Sequence, residues 1–414
     1  MLQKKMAATN ENLSPNQLAL LRLRRNRPAM FGVFIIVLAL IPAILGYALA
    51  PDSTPDANLQ MPLVALKNPG FSIDLLKIRK NRAIPTVGFF KKMLFGAPNP
   101  YEYVPVNAWQ YSNDSILVEK YADEDPETGK RVKGLTVGYA LVDVVYALQA
   151  GAPIQKNREA STFTNLEGQL QTAQIIDLKR IINENHINKK IFWLGTDNFG
   201  RDNLSRLLLG VRVSLLVGLI AVLISLTIGI LFGALAGFFG GRIDDFIMLL
   251  INTVWSIPTI LLVFAIVLAF GRGIGVIFLA VGLTMWVDVA RIVRGQVLSL
   301  KEMLFIEATR SMGFSTARTI WGHILPNVLG PVMVVAASNF ATAILVESGL
   351  SYLGFGIQPP APSWGTMLNE NYGYAIGGKP FLAVVPALAI LLMVLAFNLV
   401  GNGFRDALDV KTKD

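Results

Sequence analysis

Residues 213–241 read VSLLVGLIAVLISLTIGILFGALAGFFGG, 29 positions without a charge, and about 20 apolar residues suffice for a helix to cross the hydrocarbon of a bilayer. Working outward, the same reading applies to Phe31–Ala50, Phe246–Gly271, Gly273–Ala290 (apolar apart from Asp288), Ile324–Val346 and Phe381–Asn402. The expectation is an all-α polytopic membrane protein with six transmembrane helices. The whole chain of 414 residues agrees: 53% hydrophobic, 16% charged, mean hydropathy +0.50. There is no cysteine and there are only two histidines, His186 and His323. Disulfides, thiolate chemistry and Cys- or His-rich metal sites are thereby excluded, and no metal is expected.

The net charge of +9 is unevenly placed. Lys4, Lys5, Arg22, Arg24, Arg25 and Arg27 precede the first apolar run against the single acid Glu11. The positive-inside rule therefore puts residues 1–29 in the cytoplasm, followed by span one over 30–50. Ala48-Leu49-Ala50 resembles a signal-peptidase site, but the apolar run exceeds the usual h-region, so a retained anchor is expected. The loop after the fourth span carries Arg291, Arg294, Lys301, Arg310 and Arg318 against two acids, and the C-terminal tail, 411–414, holds Lys411 and Lys413. Both are expected on the cytoplasmic side, giving cytoplasmic termini. A basic cluster before a membrane span reads as topology, so no nucleic-acid partner is expected.

Residues 51–193 depart from this composition. They are polar, balanced in charge and proline-rich at the start, as expected of an extracytoplasmic insert between spans one and two. Tyr101–Val106, Ile116–Tyr121 and Leu135–Val145 are rich in β-branched and aromatic residues and predict strands, with a turn at Asp125–Gly129. Leu166–Asn185 predicts a helix, and His186 after it an ordinary surface histidine. A mixed α/β module follows.

Within the spans, Ser225, Gly229, Gly233, Gly237 and Gly241 recur at every fourth position and predict a helix-packing face, because small residues let membrane helices approach closely. Pro258 and Pro386 predict bends. Asn252, Ser256, Asp288, Asn339 and Glu347 lie within or at the ends of spans, where polar groups face protein or water rather than lipid, and are candidates for lining a translocation path. Asp288 is expected to pair with Arg291.

Catalytic signatures are missing. The nearest approach to a phosphate-binding loop, Gly373–Pro380, has proline where a hydroxyl must hold magnesium and has no preceding strand. No GxSxG or HExxH occurs, so neither an ATPase nor another hydrolase is expected. Two motifs remain. LGTDNFGRDNLSR (194–206) should start an amphipathic helix capped by Thr196 or Asp197 at the outer membrane surface, with Arg201, Ser205 and Arg212 off its leucine stripe. Glu307–Asn327 should form two short helices around Gly313, protruding into the cytoplasm.

The second motif resembles the EAA loop of importer permeases in the ATP-binding-cassette superfamily. Glu307, Ala308, Gly313, Leu325 and Pro326 match, Thr309 replaces the second alanine, and His323 stands at the isoleucine position. With LGTDNFGRDNLSR, VRGQVLSLKE, HILPNVLGPV, ESGLSYLGFGIQPPAPSWG and AFNLVGNGFRDALD, the likeness is to the C-type permease subunits of dipeptide/oligopeptide importers, over Leu194–Val410.

The resemblance implies the type I ABC importer permease fold, with a permease core over 194–410 and a coupling-helix loop at about 301–326. It implies a heterodimer with a B-type permease subunit, two ATP-binding-cassette ATPase subunits inside, and an extracytoplasmic substrate-binding protein outside. ATP and Mg would reside on those partner subunits, with no cofactor on this chain. Glu307, Ala308, Thr309, Gly313, Phe314, Leu325 and Pro326 would be the coupling residues, in a bacterial cytoplasmic (inner) membrane. The insert is longer than the family linker, so its role is not implied; docking of the binding protein or bracing of the partner permease is the expectation. A proton-coupled carrier using Asp288 and Glu347, or a membrane-anchored scaffold built around the insert, are the alternatives. The docking loop, which a carrier would not require, and the lack of a detectable inverted repeat discriminate against the first, and five further spans with packing glycines against the second.

Overall fold

The computed structural model describes residues 15–408 except 126, 127, 131 and 158. Lys4, Lys5, Glu11, the 411–414 tail and the middle of the Asp125–Gly129 turn lie outside the described residues; the turn's flanks are closed by a Gly129 N–H bond to the Asp125 carbonyl at 2.8 Å. The chain divides into two compact units, one of Met1–Ile44, Gly210–Asn369 and Val385–Asp414, the other of Leu45–Leu209 and Glu370–Val384.

The first unit is helical. Among the described residues five helices, lying wholly or mainly in it, are long and apolar enough to cross a membrane: Arg27–Ala48, Asn203–Phe239, Ile274–Lys301, Thr316–Tyr352 and Phe381–Leu408. The sixth candidate is a correction to the reading of Phe246–Gly271 as one span. It consists of Gly241–Trp255 and Thr259–Phe270, bent by 90° at a short break, so six crossings result only if the bent pair counts as one. Proline is the cause: the residue before it, Ile257, is disfavoured from helical geometry, and Pro258 itself caps the second helix with an extended ψ of 127°. Pro386, by contrast, is carried inside the continuous helix Phe381–Leu408.

Glycines set the closest helix contacts. A Cβ on Gly229 would lie 2.5 Å from the Val289 Cβ, on Gly233 2.5 Å from the Ala290 carbonyl oxygen, and on Gly237 2.8 Å from the Arg294 carbonyl oxygen. Three successive members of the stripe therefore lie directly on Ile274–Lys301, and fully buried Ser225 lies one turn earlier, its Oγ donating to the Val222 carbonyl. Gly241 is not part of that face. The helix ends at Phe239, and Gly240 (φ 69°) and Gly241 (φ 52°) turn the chain with left-handed geometry that disfavours other residues. Span one packs on the last helix in the same manner: a Cβ at Gly32 would meet the Ala396 carbonyl at 2.6 Å.

The second unit holds two antiparallel sheets. The larger has the order β4-β3-β2-β1-β8, with β1 Phe71–Arg79, β2 Tyr101–Ser112, β3 Ser115–Lys120, β4 Thr136–Ala140 and β8 Ile187–Phe192; the smaller pairs β5 (Gln155–Lys156), β6 (Ala160–Thr164) and β7 (Leu170–Gln174) in chain order. One face of the large sheet buries Leu76, Ile78, Val104, Val106, Ile116 and Val118 against the helices Leu141–Val145 and Ile175–Ile181.

Three expectations need correction here. Leu135–Val145 is strand only to Ala140, then helix. Leu166–Asn185 is not one helix: the Asn165 side chain accepts from the Gln169 N–H at 2.9 Å and Gly168 takes φ 78°, which makes a hairpin turn into β7 before the helix starts at Ile175. His186 is buried, its Nδ1 2.7 Å from the Lys77 carbonyl oxygen and its ring edge-on to Tyr101.

Candidate functional site

The loop over 301–326 is built on a two-sided pattern. Helix Ile274–Lys301 ends, Leu304–Ser311 follows, Gly313 reverses the chain at φ 75°, and Thr316–Thr319 leads through a wide turn, Ile320–Ile324, into Leu325–Tyr352. Ile306, Ile320, Ile324 and Leu325 are buried in one cluster with Val293, Val297 and Val328 of the flanking long helices. Thr309 is buried as well: its hydroxyl donates to the Ile306 carbonyl at 2.7 Å and lies 3.5 Å from the Thr319 hydroxyl. Threonine at this place therefore stitches the two short helices together rather than facing outward. Pro326 falls in the first turn of its helix, where its missing N–H costs nothing.

The opposite side is open. Glu307, Ala308 and Gly313 are exposed. Arg310 lies one turn from Glu307, yet among the described residues the Glu307 carboxylate has no ion pair, and the Arg310 guanidinium instead lies 5.6 Å from the Phe238 ring centroid. Phe314 is held between the His323 ring, stacked at 5.6 Å, and the Arg318 guanidinium at 4.2 Å. Around these residues Leu304 (82% exposed), Trp321 (67%) and Met312 (63%) present apolar surface. The exposed side thus combines an unpaired carboxylate, small residues and bare apolar side chains, a composition suited to a protein contact.

The five polar residues proposed for a path separate into two groups. Asn339 and Glu347 are buried inside the bundle. Asn339 donates to the Met285 carbonyl at 3.3 Å, and Glu347, with no exposed surface, accepts from the Ser351 hydroxyl at 2.7 Å. Asn339 thus ties its helix to Ile274–Lys301, while Glu347 is held by the hydroxyls of Ser348 and Ser351 on its own helix. Asn252, Ser256 and Asp288, all exposed, gather at the 90° break: Ser256 belongs to it, and Asp288 borders a cavity of about 160 Å³ with Trp255, Pro258, Thr259 and Thr284. The expected Asp288–Arg291 pair is not formed. Arg291 donates to the Asn252 amide oxygen at 2.8 Å with its guanidinium 3.7 Å over the Trp255 ring, a latch on the helix before the break. Arg294 grips Asp244 with two bonds of 2.5 and 2.6 Å. Neither latch was foreseen, although the basic side chains recur three apart at the end of a long helix, within reach of its neighbour.

The 194–206 motif also folds otherwise than expected. Asp202, not Thr196 or Asp197, caps the helix, accepting from the Ser205 N–H at 2.9 Å. No separate surface helix forms; the helix runs unbroken from Asn203 to Phe239. Arg201 and Ser205 are buried rather than off a membrane-facing stripe. Arg201 bonds Asp197 at 2.6 Å and Glu370 at 2.5 Å, and Arg206 bonds Glu370 at 3.1 Å with Asp197 3.7 Å away. Two guanidiniums and two carboxylates thus neutralise one another in a largely buried cluster. Arg212 donates to the carbonyls of Ala43 and Ile44 at the end of span one.

The family model "Binding-protein-dependent transport system inner membrane component" matches residues 229–414, and "N-terminal TM domain of oligopeptide transport permease C" matches 14–64. The oligopeptide transport system permease protein OppC of Bacillus subtilis is 35% identical over 277 residues, 67% of this chain and 85% of that protein. The glutathione transport system permease protein GsiD of Pectobacterium atrosepticum is 42% identical over 221 residues, covering 53% and 73%. A solved chain of the MetNI methionine ABC transporter, 21% identical, aligns over 49% of this chain and 96% of that one with a TM-score of 0.40, and carries no argument.

Proposed function

Since this chain belongs to the binding-protein-dependent transport system inner membrane components, we propose that it forms half of the pathway by which an importer carries di- or oligopeptides across the inner membrane. It is a multi-pass permease subunit of the ABC-importer type. Neither the carrier nor the scaffold alternative finds support among its relatives, which are permeases of oligopeptide, dipeptide and glutathione systems. In this reading the second half of the pathway is a B-type permease, a binding protein delivers substrate from outside, and two ATPase subunits bind ATP and Mg on the cytoplasmic side. This chain holds no nucleotide of its own. Both termini and the 301–326 loop then face the cytoplasm, in accord with their arginines and lysines.

One observation carries the proposal. The loop exposes Glu307, Ala308 and Gly313 while Ile306, Thr309 and Ile320 are buried, Ile306 and Ile320 in the core that unites it with two long helices. Closure of an ATPase around the exposed side displaces a rigid lever, because close-packed elements transmit strain instead of absorbing it. The exposed polar residues at the 90° break, Asn252, Ser256 and Asp288, are the part of the path this chain contributes. A peptide route must be wide and only weakly binding, which suits an amide, a hydroxyl and a carboxylate better than a fixed ligand set.

A pulldown of the tagged chain in mild detergent tests the reading, with wild type compared against Glu307→Ala and Gly313→Asp. Glu307→Ala only removes atoms from an exposed side chain, whereas Gly313 has open space beyond it but takes φ 75°, so Gly313→Asp also strains the turn and Glu307→Ala is the cleaner variant. Wild type should recover a second permease and ATPase subunits, and the variants should lose the ATPases while keeping the permease. Recovery of a homo-oligomer without ATPases, or ATPases retained by both variants, would overturn it.

A further inference from the structure

The helix Phe89–Phe95, sequence FFKKMLF, buries none of its residues. Phe89 is 66%, Phe90 74% and Phe95 68% exposed. Burying one such side chain stabilises a fold by about 1.5–3 kcal/mol, yet the nearby sheet core takes up none of the three. Lys91 and Lys92 lie between them, also exposed, and from Arg79 to Phe95 there are five basic residues and no acidic one.

The position of this helix is fixed by its own unit. It packs against the turn Gly46–Ala48. At its C-terminal end Gly96 lies so close to Ser53 and Pro55 that a Cβ would stand 2.9 Å from backbone atoms of each. Gly46 follows directly on Leu45, the last residue of the 19-residue apolar helix Arg27–Leu45. That helix is about 28 Å long at a rise of about 1.5 Å per residue, which matches the hydrocarbon thickness, so the turn stands at the height where hydrocarbon gives way to headgroups. Leu45 and Leu49, flanking the turn, are themselves exposed.

We propose that Phe89–Phe95 is an interfacial anchor of the insert, its phenylalanine rings dipping into the phospholipid leaflet beside the exit of span one and Lys91 and Lys92 reaching the lipid phosphates. Aromatic rings flanked by lysines are the composition that settles at a membrane interface. The choice of lipid over a protein occupant rests on two observations. The patch continues from a turn already at bilayer height, and beyond the side packed on that turn six of the helix's seven residues, all but Met93, stay exposed, as suits a fluid solvent that covers what the turn leaves bare. The inference needs only that the chain crosses a bilayer, so it stands or falls independently of the transport reading.

Because the chain has no cysteine, a nitroxide attached to Phe90→Cys reports from one place. The full-length protein in nanodiscs of phosphatidylethanolamine and phosphatidylglycerol is compared with Glu167→Cys, in the polar β6–β7 turn, by collision with oxygen and with a water-soluble nickel chelate. The oxygen-to-nickel accessibility ratio at position 90 should exceed that at 167 several-fold, with the label about 5–10 Å inside the headgroup boundary. Phe95→Cys should read the same, and Lys91→Glu/Lys92→Glu should lower the ratio. Equal ratios at 90 and 167 overturn the proposal. So does shielding of position 90 from both reagents when a second permease is co-assembled, since the patch is then a protein interface.

Discussion

Glu370→Gln is the sharpest perturbation of the buried charge cluster. Asp197, Arg201 and Arg206 have at most 2% exposed side chain and Glu370 has 11%, so the four groups interact with little screening. The substitution keeps size and shape and removes one charge. Arg206 loses its 3.1 Å partner and retains Asp197 at 3.7 Å, while Arg201 loses the 2.5 Å contact and retains Asp197. Within the cluster two guanidiniums then face one carboxylate, with Asp56 adding a weaker attraction on Arg206. Breaking a buried pair and leaving a charge uncompensated costs about 3–5 kcal/mol, whereas an exposed pair is worth about 0–1 kcal/mol. The two cases are separable. Thermal unfolding in detergent, with hydrogen exchange of the amides around 195–209, measures the loss. Glu370→Gln/Arg206→Met restores neutrality with the Arg201–Asp197 pair intact and should regain part of it, a coupling of the size expected for groups in contact. A loss below about 1 kcal/mol for Glu370→Gln, or a double variant no more stable than the single, refutes the reasoning.

Two further changes test other parts of the fold. Gly233→Ala places a methyl 2.5 Å from the Ala290 carbonyl oxygen and 2.8 Å from the Val293 Cβ and should destabilise the bundle by about 1–3 kcal/mol; Gly275→Ala, with open space around it, should be neutral or gain up to about 1 kcal/mol from helix propensity, and equal Tm shifts for the two would contradict the packing argument. Burial holds the His186 pKa below its ordinary value, against the pull of its bond to the Lys77 carbonyl and with the help of the Lys77 and Arg79 charges. The unfolded chain therefore takes up the proton first: the stability of the insert is complete above pH about 6.5 and falls as pH drops from there toward the folded pKa. Protection of the β1 and β8 amides should decline over that window in wild type and less in His186→Gln; identical slopes would show that another group is responsible.

The apolar runs made the helical unit legible, because lipid allows few alternatives to a helix. The glycine spacing even located one of its close helix seams, Gly229 to Gly237. The failures have physical causes. Composition counts residues and is blind to the size of a turn, so Phe246–Gly271 looked like one span bent at Pro258, although the break there reaches 90°. Partners distant in sequence were invisible: Glu370 lies 164 positions from the Arg206 it neutralises. Arg201 and Ser205 accordingly looked like a surface face. In the insert, Leu166–Gln174 carries helix-compatible residues, but pairing with β6 overrides that preference, through contacts such as the Thr162–Thr172 hydroxyl bond. At the loop, exposure of Glu307, Ala308 and Gly313 was foreseeable from their type. The inward turn of Thr309 was not, since a hydroxyl that bonds its own helix can be buried anywhere its neighbours are apolar.

The pairing of β1 with β8 gives the insert a property of its own. Phe71 stands opposite Phe192, with their rings stacked at 6.3 Å, so the strands that open and close the β-module leave it side by side, Cα atoms about 5 Å apart. A segment whose ends meet in this way behaves as a detachable cassette: excised and replaced by a two-residue bridge, it leaves a gap no wider than a hairpin. Evolution could add or shed such a block without re-registering anything around it. The same seam is the natural place for an experimenter to splice in a fluorescent reporter or transplant the module into a relative that lacks it.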